Sequence, residues 1–189
     1  MDADLQQRNR HLDLIGAWIA KHGLAALASA SAEDVAGVSE DELREFFDSR
    51  EDIVAALIAR DRTFHREQLA KLLADPTLTN TQRGRSMWQH YVDAENGMRL
   101  FFEAYGIALH DEQYGRFIFG ADDWFAMIDP VLERQGMSSG NADAFATLFI
   151  AVIRGAMMDL CATGNRGRVN AAMEMWFAAS EILEKKLEQ

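Results

Sequence analysis

The chain has 189 residues, 49% of them hydrophobic, and carries 30 Asp and Glu against 19 Lys and Arg for a net charge of −11. That length and apolar content suffice for one or two domains with a buried core, and the acidic balance argues against a broadly basic nucleic-acid binder. Only 2 Pro and 13 Gly interrupt an abundance of Ala, Leu, Met, Glu and Arg, which favours an all-α fold, and the single cysteine, Cys161, excludes an internal disulfide framework.

The chain opens on Met1-Asp2-Ala3-Asp4-Leu5, acidic where a secretory leader is basic and then apolar, and no run is apolar over the roughly 20 residues that cross a bilayer. A cytoplasmic protein without membrane contact is the expectation. Periodicity predicts a first helix over Leu5–His22, with Leu12, Ile15, Trp18 and Ile19 inward and Gly23 as its stop. Small residues follow, with a short helix predicted from Ala30 to Ala36. Gly37 suits a tight helix-to-helix turn, Val38 is an apolar plug, and Ser39 can cap a next helix with Glu42 three positions behind it. Leu43, Phe46 and Phe47 then face inward, so Val35–Ile53 reads as a helix-turn-helix. Asp48 or Ser49 opens a long helix to about Leu73, with Glu51 and Asp52 in its first turn and Ile53, Leu57, Phe64 and Leu72 along its apolar face. Asp75-Pro76-Thr77 ends it. Further helices are predicted at Thr79–Glu95, Met98–His110, Gln113–Gln135, Asn141–Thr163 and Arg168–Glu188. The domains so drawn are 1–48 and 49–189.

Gly23, Gly37-Val38-Ser39, Phe47 and Ser49-Arg50-Glu51 stand where the tetracycline-repressor (TetR) family of transcriptional regulators has a first-helix Gly, a Gly-Val-Ser turn, a recognition helix ending in Phe, and a Ser-Lys-Glu start to the fourth helix. The chain resembles that family, and the Gly23-to-Gly37 spacing fits it. Gly97–Gly106 and Ile153–Asn165 also resemble its C-terminal domains. The resemblance implies an N-terminal three-helix DNA-binding domain, a helical ligand-binding body, and a long linking helix whose tilt carries the signal. It further implies dimerisation through the last two helices, which would place two recognition helices in successive major grooves about 34 to 36 Å apart. DNA contacts then fall to Ser39 and Arg44, to Arg50 at the next helix start, and to Arg8 and Arg10 near the chain start, beside His11.

The chain departs from that pattern where charge matters. Arg44 replaces a usual Tyr, Phe46 a frequent His, and Glu40, Asp41 and Glu42 stand where small or basic residues are usual. Residues 1–60 hold twelve Asp and Glu against six Lys and Arg. Two readings follow: a ligand-responsive dimeric repressor bound to operator DNA, or a dimer of this fold that has lost operator binding and serves as a ligand-binding or protein-interaction module.

No metal-ligand spacing, phosphate-binding glycine loop or nucleophile-with-base arrangement is present, so neither an enzyme nor a cofactor is expected. Rings and Met residues crowd the second half, and shared helix faces select a candidate lining for an apolar ligand: Trp88, Tyr91, Phe102, Tyr105, Trp124, Met127, Phe149 and Met157. Glu103, Arg154 and Asp159 lie inside apolar runs and need partners if buried. An ion pair of Arg154 with Asp159 or Glu103 is one reading; Arg154 or His90 as polar anchor for the ligand is the other. Phe145, Leu148, Phe149, Val152 and Ala156, with Val169, Met173, Trp176, Phe177 and Ile182, give the last two helices more apolar surface than one body buries, which points to a homodimer.

Overall fold

A computed structural model describes residues 2–111 and 122–187, and among these every regular element is helical. The elements are α1 (Asp2–His22), a 3-10 helix (Leu24–Ala28), α2 (Ala32–Ala36), α3 (Glu40–Arg44), α4 (Arg50–Ala74), α5 (Asn80–Asp93), α6 (Glu95–Ala108), α7 (Asp122–Arg134), α8 (Ser139–Thr163) and α9 (Arg166–Leu187). The described residues pack as two units. One is the chain up to Arg62 together with the stretch from Arg99; the other is Thr63–Met98 with the helices after residue 121. The boundary drawn from sequence at residue 48 falls just before α4, whose first half packs with the head.

In the first unit Leu12, Ile15 and Ile19 of α1 meet Leu24, Leu27, Val35, Leu43 and Phe47, with Ile53, Val54, Leu57 and Ile58 of α4 and Ala104 and Ala108 of α6 completing the core. Trp18 packs on it half-buried. The short second helix begins at Ala32, two residues later than predicted, because Ser31 is its cap and accepts from Asp34 N–H; a 3-10 turn takes up the residues before it. Ser49 Oγ accepts from Asp52 N–H at 3.1 Å and opens α4. Phe64, predicted inward, is 56% exposed. The buried stripe of α4 instead passes through His65 and Leu69, so the imidazole takes the inward position and Phe64 lies over the rings of His65 and His90.

The second unit is built from α4's end, α5 and α7 to α9. Thr77 gives its N–H and hydroxyl to Asp75 Oδ1 at 2.8 and 2.6 Å, which closes the turn after α4 and holds the Asp75 carboxyl below its ordinary range. Thr79 caps α5 in a reciprocal box with Gln82, which is why that helix starts one residue later than predicted. The predicted Gln113–Gln135 helix is seen as α7 from Asp122, and its residues 113–121 lie outside the described ones. α8 corrects one expectation, since an 18-residue window of it reaches a mean hydropathy of 1.7, enough by length and composition to cross a bilayer. Asp143, Arg154 and Asp159 break that run to the eye, but the apolar residues between them outweigh the charges in the average. Only 28% of the window is buried.

Asp129 of α7 is half-buried, with Oδ1 out of reach of any hydrogen-bond donor among the described residues. Its burial, with the Asp143 and Glu133 carboxylates nearby, raises its pKa. An unfolded Asp ionises near pH 3.9, so above that the folded state retains a proton the unfolded state has lost, and stability falls as pH rises through the window just above 4. Asp129→Asn should therefore raise the melting temperature at pH 7 and flatten its decline as pH rises above about 4. Differential scanning calorimetry across that range checks it, and an unchanged or lowered Tm at pH 7 speaks against it.

Candidate nucleic-acid interface and apolar cavity

A five-residue helix does not hold itself together, and α3 is fastened by side chains on three sides. Ser39 caps it, accepting from Glu42 N–H at 3.1 Å. The Glu42 carboxylate does not return to Ser39; it accepts from Gln7 Nε2 at 3.4 Å and lies 3.9 Å from His11 Nε2, tying α3 to α1. Glu40 accepts from Ala32 N–H at 2.9 Å and from Arg50 Nη2 at 2.7 Å, tying α3 to the start of α2 and to α4. Leu43 and Phe47 close the inner side, and Gly37, at φ +69°, makes the turn before it. Two of the three carboxylates that look wrong-signed for DNA are thus structural. Asp41, Arg44 and Glu45 are exposed and carry none of these ties.

The five residues assigned to DNA fall into different settings. Arg44, Ser49 and Arg50 border one depression of about 190 Å³ between α3 and the start of α4. Arg50, however, is committed: the same Nη2 also donates to Ala30 C=O at 3.1 Å. The Arg8 guanidinium sits 4.9 Å from the Phe47 ring centroid, a cation–π contact that leaves its donor edge available. Arg10 and Ser39 are exposed. His11 is buried beneath the Phe46 ring, at a centroid distance of 5.2 Å, and so lies behind the surface on which sequence had grouped it with Arg8 and Arg10.

The second unit holds an apolar cavity of about 60 Å³ lined by Leu69, Met87, Ile128, Val131, Leu132, Phe145, Ala146 and Phe149, with Asn80, Arg83 and Gly84. Gly84 makes room for the rings, since a Cβ there would stand 2.8 Å from Phe149 Cζ and 3.1 Å from Phe177 Cε1. Of the expected lining Phe149 is in this wall. Trp88 is core, its indole N–H donating to Asn170 Oδ1 at 2.8 Å, and Met157 is wholly buried. Tyr91 lies 4.8 Å from the His65 ring, while Trp124, Met127 and Arg154 are half-buried. Phe102 and Tyr105 belong to the first unit, where Tyr105 packs on the head core. The charged residues in apolar runs have found partners: Glu103 accepts from Leu24 N–H, and Asp159 takes Arg168 Nη2 on both oxygens, at 2.8 and 2.6 Å. No group of three or more metal-ligating side chains occurs among the described residues.

Among solved structures, a TetR transcriptional regulator from Legionella pneumophila superposes with a TM-score of 0.72 over 90% of this chain and 95% of its own, at 17% identity. The chain has the fold of a TetR regulator. No family model and no curated protein matches it. In this TetR-like head, α1 to α3 form the helix-turn-helix that Gly23, Gly37 and Ser39 announce.

Two residues of the TetR-like fold escaped the sequence reading. Arg83, buried at 8% exposure, gives Nε to Leu72 C=O at 3.0 Å, Nη2 to Asp75 C=O at 2.7 Å and Nη1 to Asn80 Oδ1 at 2.7 Å. It follows the Thr79 cap among polar residues, and nothing in periodicity marks it. Gly84 next to it reads as an ordinary helical glycine until the rings of α8 and α9 are packed against it. The signal that existed was for Glu40 and Arg50, opposite charges on either side of a turn, which sequence treated as separate surface groups.

Proposed function

We propose that this chain is a cytoplasmic, homodimeric transcriptional regulator, a repressor whose grip on operator DNA is modulated by a small, largely apolar ligand. The observation that carries it is the head. All but one face of α3 is pinned by specific contacts from α1, α2 and α4, which leaves Asp41, Arg44 and Glu45 presented together in a helix-turn-helix frame. Arg10 and Arg8 supply backbone-contacting charge, and the cavity beside Phe149 supplies the seed of an effector site. At about 60 Å³ it has the volume of about two waters, so an effector must displace Phe149 or its neighbours to enter. That displacement is the conformational signal.

A second reading, a dimer whose head engages protein instead of DNA, is favoured by the Arg50–Glu40 pair, which withdraws a cation that a phosphate would otherwise use. Fluorescence anisotropy against the DNA upstream of the chain's own gene separates the two. Binding should weaken steeply with salt, and Arg44→Ala should lower affinity about tenfold. Absence of binding at roughly 50 mM salt leaves the second reading in place.

A further inference from the structure

We infer that the outward face of α3 selects operator bases by carboxylate acceptance: Asp41 and Glu45 take the amino groups of cytosines in the major groove and Arg44 takes guanine, giving each half-site a G·C-rich core. This rests on the DNA-binding reading above. Asp41, Arg44 and Glu45 are spaced i, i+3, i+4, all exposed, and none forms an ion pair among the described residues. Glu40 and Glu42, by contrast, remain partly exposed but have their carboxylates engaged by Gln7, Ala32 and Arg50. The acidic character of the segment therefore divides into a structural part and a part that any duplex entering this frame must meet.

A carboxylate facing phosphates is repelled, and one facing the groove floor finds donors only at cytosine N4 and adenine N6. Adenine sets its N7 acceptor beside that amino group, whereas cytosine presents its amino group with no acceptor of its own in the groove, so cytosine is preferred. Guanine and thymine present acceptors and are rejected by lone-pair repulsion. Discrimination here works largely by excluding wrong sequences. The forked guanidinium of Arg44 matches guanine O6 and N7, which sit opposite or beside such a cytosine. Low affinity for arbitrary DNA and a high specificity ratio follow from the same three side chains.

Selection of duplexes from a random library by the full-length protein at low salt, followed by anisotropy on the enriched duplex and on single-base changes of it, tests this. The expected result is enrichment of a G·C core. Asp41→Ala should bind arbitrary duplex more tightly while its preference for the cytosine-bearing site over the changed one drops about tenfold. Glu45→Gln should move the preferred base at one position from cytosine to adenine, because a carboxamide offers both a donor and an acceptor. Enriched duplexes without that core, or variants that bind DNA with unaltered base preference, overturn the inference and leave the regulator intact. No binding of any duplex by the unsubstituted protein overturns the DNA-binding reading and this inference with it.

Discussion

Arg83→Leu should destabilise the protein by on the order of 3 kcal/mol, or roughly 6–12 °C in Tm for a chain of this size. The guanidinium closes the C-terminal end of α4: Leu72 and Asp75 carbonyls point out of the last turn and both accept from it. A helix C-terminus is electronegative and has carbonyls without intrahelical donors, so one cation satisfies the dipole and the hydrogen bonds together. Removing it leaves its acceptors in a site that is 92% shielded at Arg83 itself, and leaving one partner of a buried polar contact costs more than never having made it. Arg83→Lys should recover less than half, because a single ammonium on a flexible stem cannot span Leu72 O, Asp75 O and Asn80 Oδ1 at once. Chemical denaturation with the midpoint and slope fitted separately reads both variants. A loss under about 1 kcal/mol for Arg83→Leu would mean that water takes over these carbonyls without difficulty.

The contrast between Arg83 and the helix-turn-helix shows what one sequence discloses. Gly23, Gly37, Ser39 and Ser49 act on the residues next to them through φ, through a cap, or through a turn, and local rules of that kind are visible in the order of residues. The helices were legible for the same reason; their ends differ by up to three residues, with Thr79 counted inside α5 although it is the cap, and with α1 and α6 each beginning three residues before the predicted start. Side-chain partnerships across elements were not. Glu40 with Arg50, Glu42 with His11, and Arg168 with Asp159 depend on how elements cross, and their charges read as surface in the sequence. For the cavity the failure has a further cause. Rings at helical spacing fill a core and line a pocket equally well, and which they do depends on whether a small residue such as Gly84 faces them. Trp88 and Met157 fill; Phe149 lines.

Gly155→Leu should convert a dimer into a monomer while leaving the single chain folded. α8 is the most apolar helix, yet Leu148 and Met158 are 42% and 53% exposed on it, and on α9 Met175 and Ile182 are 76% and 62% exposed. Ala151, Gly155 and Ala162 run along the same side of α8, and Ala171, Ala178 and Ala179 along α9 beside Met175 and Ile182. Small residues in such a stripe let a second pair of helices approach closely. A stable two-fold interface buries about 1,600 Å² or more, and these exposed apolar side chains aligned with small residues are the surface on these two helices that such an interface would cover. Within the chain a Cβ at Gly155 meets nothing within 4 Å, so Leu there has room. It also removes a helix-interior glycine, a local gain of about 0.8 kcal/mol. Any loss must therefore come from the partner. Light scattering after size exclusion should give a dimer for the unsubstituted chain at micromolar concentration and a monomer for Gly155→Leu, with helical circular dichroism retained. Met175→Glu should act the same way by burying an unpaired carboxylate in the interface. If both variants remain dimeric, the chains pair through another surface and the exposed stripe on α8 and α9 needs a different occupant. A monomeric unsubstituted chain would remove the two-fold spacing on which simultaneous binding to two half-sites depends.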